Sequence, residues 1–273
     1  VLSGLMALSS MAACGPAATQ NTPATPTTQN IPPTLITPTA PAVEKPQQEA
    51  AKPAVEAPRY GGTVTLSNAT DLTNFDSFLN TAGSSPALNL TNQGLWAGDW
   101  AKGPAGGYGT SQTDWSDSFD LFDLKTGYLA ESTKWSTDFE KNEGTIVYQI
   151  RQGVRWGLYP ALEASRLVGG RALTTDDVIS ELKRATTWSR AYVYGTIPEL
   201  RNIPIVKTGP WEITLKVPIS SLYAALARLG DAMYLHPPEV IAKYGDANKW
   251  TSSVGTGPFM LTDFVPGSQT ALV

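Results

Sequence analysis

The sequence has little of the side-chain chemistry on which most enzymes depend. Its 273 residues include one histidine and one cysteine. A catalytic Cys–His pair or a zinc site needs more such residues, and neither a Gly-x-Ser-x-Gly elbow nor a P-loop occurs. The histidine, His236, precedes Pro237 at a predicted helix start, which favours a capping or surface position over a catalytic one. We therefore predict a protein that is not an enzyme and has no metal and no cofactor.

The sequence also lacks an excess of positive charge. It has 20 Lys and Arg against 24 Asp and Glu, which gives a formal net charge of -4, and it has no long basic run. Electrostatic binding to nucleic acid or to an anionic membrane surface relies on such a run. Nucleic acid is therefore not an expected partner, and electrostatics indicates no other partner.

Aromatic residues are missing from the first part of the chain. All of the 8 Trp, 10 Tyr and 7 Phe lie at or after Tyr60. Residues 15–58 instead contain ten prolines and eight threonines, so this stretch cannot bury enough apolar surface to offset the entropy lost on ordering. We predict a Pro- and Thr-rich tether over residues 14–58 that holds the folded part away from the membrane. A glycosylated stalk is the alternative.

The only cysteine follows a short apolar segment. Residues 1–13 are rich in small apolar residues, are too few to span a bilayer, and end at Cys14. Met11 to Gly15 resembles the bacterial lipobox, with Met11 in place of the usual leucine. We predict a signal-peptide remnant over 1–13 and a lipidated Cys14, with a buried free cysteine as the alternative. No positively charged region precedes the apolar segment, so we expect that Val1 is not the true start.

Hydrophobic patterns predict alternating strands and helices after the tether. Thr145–Ile150 is β-branched and aromatic, and Trp211–Val217 alternates apolar with polar residues, as half-buried strands do. Thr174 followed by Asp177 approximates a capping box, which predicts a helix that begins here and ends near Thr187. No internal repeat is visible, so the predicted fold class is mixed α and β.

Turn and capping residues predict three further elements. Thr63–Leu66 alternates as a short opening strand. Ser220 or Ser221 is expected to cap a helix that ends with Gly230 in a left-handed conformation. Pro237 and the proline that follows it start a last short helix, because proline suits the first helical turn.

Several segments, in the same order, resemble the extracellular solute-binding proteins of peptide and nickel ABC importers. Arg59–Leu66 is similar to the opening strand of that family, and Thr145–Trp156 (TIVYQIRQGVRW) is similar to its Tyr-Thr-Phe-x-Leu-Arg-x-Gly-Val-x-Phe/Trp signature. Arg171–Ala185 resembles the start of a helix that carries two adjacent aspartates in the family. Val254–Phe259 resembles its Gly-Thr-Gly-Pro-Tyr segment.

The sequence departs from the family pattern in two places. Asn74–Asp76 stands where the family has a Leu-Asp-Pro turn, and Ser77 replaces the proline. Between Trp156 and Arg171 the chain has extra residues where the family has a short turn. These departures leave the order of the matching segments intact.

The resemblance implies a periplasmic-binding-protein-like fold of two lobes that close on a ligand, with the second lobe missing from this chain. It places an incomplete first lobe in residues 59–79 and 200–273, and an inserted subdomain in residues 80–199. It also implies a monomer outside the cytoplasmic membrane, in the periplasm or at the cell surface. The implied partners are ABC permease subunits and, through the lipid, the membrane.

The resemblance further implies that part of the ligand-binding surface lies at Asn74, Phe75, Trp96 and Trp100. In the family the cleft borders the first-lobe turn and the loops after it. Trp96 and Trp100 lie in a Gly-rich stretch, where stacking on a ligand competes with packing in a core. The expected ligand is an oligopeptide; an oligosaccharide, a nickel complex and an opine are the alternatives.

Two other classes of function stay open. A surface-attached structural or adhesive lipoprotein would keep the fold without transport. A secreted hydrolase would need a nucleophile and a base from residues beyond these 273. A permease gene beside the coding sequence would favour transport.

Overall fold

The computed structural model describes residues 61–67, 72, 74–79, 86–99 and 122–273. The chain divides into two units, 1–62 and 63–273, and nearly all of the described residues belong to the second. Cys14, the tether and Trp100 lie outside the described residues, so the predictions made for them stay predictions.

Strands and helices alternate along the second unit, as predicted. The strands are β1 (Trp96–Gly98), β2 (Lys125–Gly127), β3 (Ala130–Asp138), β4 (Glu143–Ile150), β5 (Ile205–Gly209), β6 (Glu212–Pro218), β7 (Leu261–Val265) and β8 (Gln269–Leu272). The α-helices are α1 (Pro86–Thr91), α2 (Glu163–Val168), α3 (Thr175–Thr187), α4 (Tyr192–Thr196), α5 (Leu222–Ala225) and α6 (Pro238–Tyr244). None of the helices in the described ranges has the length and apolar character needed to span a bilayer.

An antiparallel sheet in the order β3-β4-β6-β5 lies at the centre of this unit, and β1-β2 and β7-β8 form two smaller antiparallel pairs. Along β4 and β6 every second residue is buried. Ile146 pairs with Leu215 and Tyr148 pairs with Ile213, so the buried side chains of both strands share one face. The two strands predicted from the hydrophobic patterns are thereby confirmed.

Helix α3 packs beside β5 and β6. At its start the Thr174 hydroxyl accepts a hydrogen bond from the Asp177 backbone N–H at 3.3 Å, and the Asp177 carboxylate accepts one from the Thr174 N–H at 2.8 Å. This reciprocal pair is the predicted capping box. The apolar side of the helix, with Leu182 at its centre, is buried, and the helix ends at the predicted residue.

The predicted opening strand is wrong. Residues 61–67 belong to no strand, and the side chains of Val64 and Leu66 are 84% and 71% exposed. A strand needs a neighbour that donates to and accepts from its backbone. In the part of the chain that the structure describes, no strand pairs with this segment. Alternation within a sequence cannot supply the missing partner.

The helix predicted to end at Gly230 continues past it, which corrects that prediction. Helix α5 runs into a π-helix at Leu226–Asp231, Gly230 is not left-handed, and Ser221 makes no side-chain capping bond. The Trp96 indole packs directly against Gly230, where a Cβ atom would lie 3.0 Å from Trp96 Cδ1 and nearer still to Nε1. The glycine therefore permits close approach of a ring rather than a left-handed helix end.

The last predicted helix is confirmed and packs against the extra residues. Helix α6 begins at Pro238, and Gly245 ends it in a left-handed conformation with φ 83°. The extra residues 157–170 contain α2, which packs against α6. The Lys243 ammonium lies 2.6 Å from the Glu163 carboxylate across this contact.

The proposed limits of the lobe and the subdomain stay a prediction. The central sheet takes β3 and β4 from one side of residue 200 and β5 and β6 from the other side. Residue 200 is where the inserted subdomain was expected to end, so one sheet contains strands from both proposed parts.

Candidate functional site

The turn over residues 74–79 contains the first two predicted ligand residues. The Asp76 carboxylate accepts a hydrogen bond from the Phe78 backbone N–H at 3.1 Å, which closes the turn locally. Ser77, which stands in place of the family proline, donates its hydroxyl proton to the Tyr234 carbonyl and accepts from the Tyr234 N–H, each at 3.1 Å. The serine thus attaches the turn to a distant segment by two bonds that a proline could not make.

Asp76 is fully buried and fully bonded. Its two oxygens accept from the Arg184 guanidinium at 2.8 and 3.1 Å, and one of them also accepts from the Ala247 N–H at 3.1 Å. Burial alone raises the pKa of this carboxyl, but the charge of His236 and the hydrogen bonds and charge of Arg184 lower the pKa to about 2. The carboxylate is therefore ionised at neutral pH.

The Arg184 guanidinium joins several groups at the buried end of this turn. Besides Asp76 it donates to both oxygens of Glu181, at 2.8 and 3.0 Å. Its Cζ lies 3.8 Å from the centre of the Phe78 ring and 5.2 Å from that of Trp188. Burial lowers the pKa of this guanidinium, but the two carboxylates reverse the shift and raise the pKa above its ordinary value. Arg184 therefore stays protonated, and its positive charge lies between two carboxylates and two aromatic rings.

The prediction that His236 caps a helix or lies at the surface is wrong. His236 is fully buried, its Nδ1 lies 3.2 Å from Glu181 Oε2, and its Nε2 lies 3.3 Å from the Phe75 carbonyl oxygen. The Glu181 carboxylate also accepts from the His236 backbone N–H at 3.1 Å. These partners lie far away in the sequence, so the neighbouring proline does not indicate where the His236 ring lies.

The Gly-Thr-Gly segment packs against the end of α1. The Gly257 N–H donates to the Thr91 carbonyl at 2.9 Å, and the Phe259 N–H donates to the Leu90 carbonyl at 3.2 Å. A Cβ atom on Gly255 would lie 2.6 Å from Asn92 Cγ and closer still to the Thr91 carbonyl oxygen. The glycines therefore let an extended segment bond to the helix backbone at close range.

Structure comparison relates this arrangement to solved proteins. A dipeptide-binding protein of Pseudoalteromonas sp. SM9913 in complex with Met-Leu matches with a TM-score of 0.53 at 16% identity, over 74% of this chain and 38% of that chain. The ABC transporter-associated periplasmic binding protein DppA of Helicobacter pylori, in complex with the peptide STSA, matches with a TM-score of 0.52 at 17% identity. The match covers 75% of this chain and 37% of that chain. MoaA of A. tumefaciens R10, in complex with mannopinic acid, matches with a TM-score of 0.52 at 20% identity. The match covers 74% of this chain and 34% of that chain.

The chain has the periplasmic-binding-protein fold. This confirms the predicted mixed α and β class and, at the level of the fold, the resemblance found in the sequence. The chain spans about a third of the length of the solved structures that it matches, between 34% and 38%, which fits the predicted absence of the second lobe. No protein-family model and no curated protein matches the sequence.

Within this fold Asn74 has an oxygen without a partner. Asn74 Oδ1 is enclosed and accepts no hydrogen bond, and the same holds for Asn248 Oδ1. The two residues lie on adjoining segments, because the Phe75 N–H donates to the Asn248 carbonyl at 3.2 Å. An enclosed acceptor without a donor costs about 1–3 kcal/mol, so each of the two oxygens leaves a hydrogen bond unmade in this structure.

The other predicted residues are packed or lie outside the described ranges. Phe75 is buried and meets the Phe264 ring edge-on at 5.0 Å. Trp96 is 4% exposed and belongs to a different hydrophobic cluster from Phe75. The structure thus brings Asn74 and Phe75 together and places Trp96 apart from them. Trp100 lies outside the described residues, and the ligand-binding role of all four residues stays a prediction.

A stack of aromatic rings that reaches from the core to the surface was not predicted. The Phe122 ring lies between Trp96 and Tyr223, with ring centres 5.4 and 5.6 Å away and planes inclined by 20° and 13°. Trp135 meets the same stack from β3, and Tyr223 is 65% exposed. These residues come from four separate segments, so no spacing in the sequence indicates the stack.

The described residues offer no metal centre. Within the described ranges, no group of three or more His, Cys, Asp or Glu side chains is arranged to hold a metal ion. Asp176 and Asp177 are adjacent in sequence but pair with different basic side chains. Lys207 lies 2.9 Å from Asp176, and Arg171 lies 2.7 Å from Asp177. Asp177 therefore serves the capping box and a part-buried ion pair, and Asp176 serves an exposed ion pair.

Proposed function

We propose that this chain is part of a substrate-binding protein of an ABC importer. It captures oligopeptides outside the cytoplasmic membrane and delivers them to the permease, as a monomer without enzymatic activity. The observation that carries the proposal is the fold shared with proteins whose structures hold Met-Leu and the peptide STSA. Cys14 carries the lipid that keeps the protein at the membrane, and residues 14–58 form the tether.

The site that we assign to the ligand centres on the turn at Asn74 and Phe75. Peptides held in an extended conformation offer backbone N–H groups, which need acceptors. The unpaired oxygens of Asn74 and Asn248 are acceptors of this kind. Trp96 and Trp100 are further ligand-binding residues in this proposal, and Trp96 belongs to a different hydrophobic cluster from Phe75.

An opine is the second candidate ligand. MoaA, which has the highest identity among the three structures compared above, holds mannopinic acid. An opine carries hydroxyl and amino donors that suit the same acceptors. The ligand class is therefore decided by titration rather than by the fold.

We expect Asn74→Ala to weaken ligand binding. In isothermal titration of the full-length protein with defined di- to nonapeptides and with mannopinic acid, the substitution should reduce affinity about five- to ten-fold, the value of one hydrogen bond. Asn74→Asp keeps an acceptor oxygen and should retain more affinity than Asn74→Ala. Equal affinity of Asn74→Ala and wild type would remove Asn74 from the site. Binding of none of these ligands to the wild type would refute the proposed function.

We expect Cys14 to be acylated. Metabolic labelling with a radioactive fatty acid should label the wild type at the membrane. Cys14→Ser should be unlabelled and released, because the lipid is attached through the cysteine sulfur, which serine lacks. Ser3→Ala, a change in the apolar segment away from the cysteine, serves as the control and should label normally. Release of an unlabelled wild-type protein would contradict the anchor.

A further inference from the structure

Three segments that are distant in sequence meet at one buried polar cluster, which we name the Arg184 cluster. The turn contributes Asp76, helix α3 contributes Glu181 and Arg184, and the segment before α6 contributes His236. The side chains of Asp76, Glu181 and His236 are at most 1% exposed, and that of Arg184 is 9% exposed. The cluster is therefore screened from water, and its charges act on one another strongly.

Arg184 is the member of this cluster that connects the turn to α3. Its Nη1 and Nη2 atoms donate to Asp76 of the turn, whereas Nε and Nη2 donate to Glu181 one helical turn earlier on its own helix. The Glu181 pair holds the guanidinium in one orientation. The adjacent edge of the guanidinium, which shares Nη2 with the first, then presents two parallel donors to Asp76, a geometry that a planar fork can supply and a lysine ammonium cannot.

The Asp76 carboxylate, which Arg184 orients, also bonds to the backbone of the turn and of a second segment. Its oxygens accept from the Phe78 N–H within the turn and from the Ala247 N–H in the segment that also carries Asn248. Asn74 lies two residues before Asp76, and the Asn248 carbonyl accepts from the Phe75 N–H. The position of both unpaired asparagine oxygens thus depends on one carboxylate that Arg184 orients.

We propose that Arg184 is a positioning residue that, through Asp76, holds the turn over residues 74–79 and the adjoining Asn248 in the geometry that receives the ligand. The effect on the ligand rests on the proposed function. The effect on the turn does not, because it follows from the contacts of Arg184 and Asp76 alone. The two effects are therefore measured separately.

The first measurement is amide hydrogen exchange in full-length Arg184→Lys. Lysine keeps the positive charge but cannot form a bidentate pair with each of the two carboxylates, as the guanidinium does. Exchange at the Phe78 and Ala247 amides should accelerate about ten-fold, since the loss of a charge-assisted bond shifts a local opening equilibrium by that order. Amides of β4 and β6 should change much less. An equal acceleration in the turn and in the sheet would show that Arg184 is only a core residue and would overturn the proposal.

The matched control is Arg190→Lys. Arg190 also lies over the Trp188 ring, at 5.1 Å, but its side chain is exposed and its carboxylate partner is Asp246 at 3.3 Å. Arg190→Lys should leave exchange at Phe78 unchanged; Ala247 is not read in this control, because it directly follows Asp246, the partner of Arg190. Acceleration at Phe78 as large as in Arg184→Lys would show that any change near Trp188 loosens the turn, which contradicts a specific role of Arg184.

The second measurement tests whether Arg184 acts through Asp76. In an Asp76→Asn background, Arg184→Lys should add little further acceleration at Ala247, because the carboxylate that transmits the effect is already gone. Additive acceleration would overturn the proposed route.

The third measurement is peptide affinity by titration. Arg184→Lys should weaken the binding of any peptide that the wild type binds by about ten-fold, in step with local exchange in the turn. Loosening of the turn without loss of affinity would overturn the part of the proposal that concerns the ligand. If the wild type binds no peptide, the proposed function fails, and the exchange data alone decide whether Arg184 holds the turn.

Discussion

Gly255→Ala is expected to destabilise the protein strongly. The added methyl group would overlap the Thr91 carbonyl oxygen and lie 2.6 Å from Asn92 Cγ. The nearest obstacle is helix backbone, which cannot rotate away as a side chain can. Overpacking of this kind costs about 3 kcal/mol at the upper end of the usual range, and the hydrogen bond from Gly257 to Thr91 would be stretched as well. Urea unfolding followed by circular dichroism measures the change.

Gly195→Ala is the matched control for this prediction. Gly195 lies within α4, and a Cβ atom there would meet nothing within 4 Å. Alanine should therefore be neutral or stabilise the protein by about 0.5–1 kcal/mol, as in other helix interiors. If Gly255→Ala unfolded at the same urea concentration as wild type, the close packing of the Gly-Thr-Gly segment on α1 would be incorrect.

Features that depend on residues close in sequence could be predicted. The capping box of α3 needs only Thr174 and Asp177, three residues apart, and its partners are the backbone N–H groups of the same two residues. The alternation in β6 likewise reports burial of one face whatever the neighbouring strand is. Such signals are local, and a single sequence contains them completely.

Features that depend on distant partners could not be predicted. The predicted opening strand Thr63–Leu66 has the expected alternation but no neighbouring strand in the described residues. His236 has one partner on α3 and another in the turn, and its chain neighbours do not indicate either. The sequence indicates a helix end at Gly230, because glycine often ends helices. In the structure a glycine is needed there because the Trp96 ring packs against it.

The candidate site shows both situations. The resemblance pointed to the turn at Asn74, and the structure finds there an acceptor without a donor. It also pointed to Trp96, whose ring is buried under Gly230 and beside Phe122. Aromatic residues in a Gly-rich stretch serve equally for stacking and for packing, and sequence alone does not distinguish these uses.

The buried carboxylate of Asp76 is expected to make stability depend on pH in acid. A carboxyl whose pKa is lowered in the folded state stabilises that state above its unfolded pKa, and this stability is lost as the pH falls through the folded pKa. For Asp76 the pKa falls from 3.8 to about 2. The contribution should therefore be complete at pH 5, decline below pH 4 and vanish only below pH 2. The lowering of the pKa from 3.8 to about 2 corresponds to about 2.5 kcal/mol, at about 1.4 kcal/mol for each unit of pKa.

Asp76→Asn and Asp76→Ala test this expectation by difference, so that the titration of other carboxyls cancels. At pH 7 Asp76→Ala should lose about 3 kcal/mol or more, because Arg184, Phe78 and Ala247 each lose an acceptor in a buried place. Asp76→Asn keeps one oxygen and should lose less.

In urea unfolding between pH 5 and pH 3, the difference in unfolding free energy between wild type and Asp76→Asn should shrink as the pH falls. Asp138→Asn removes an exposed carboxylate paired with Lys141 and should show little change. A difference between wild type and Asp76→Asn that stays constant over this range would mean that the Asp76 carboxylate does not gain from its pairing with Arg184.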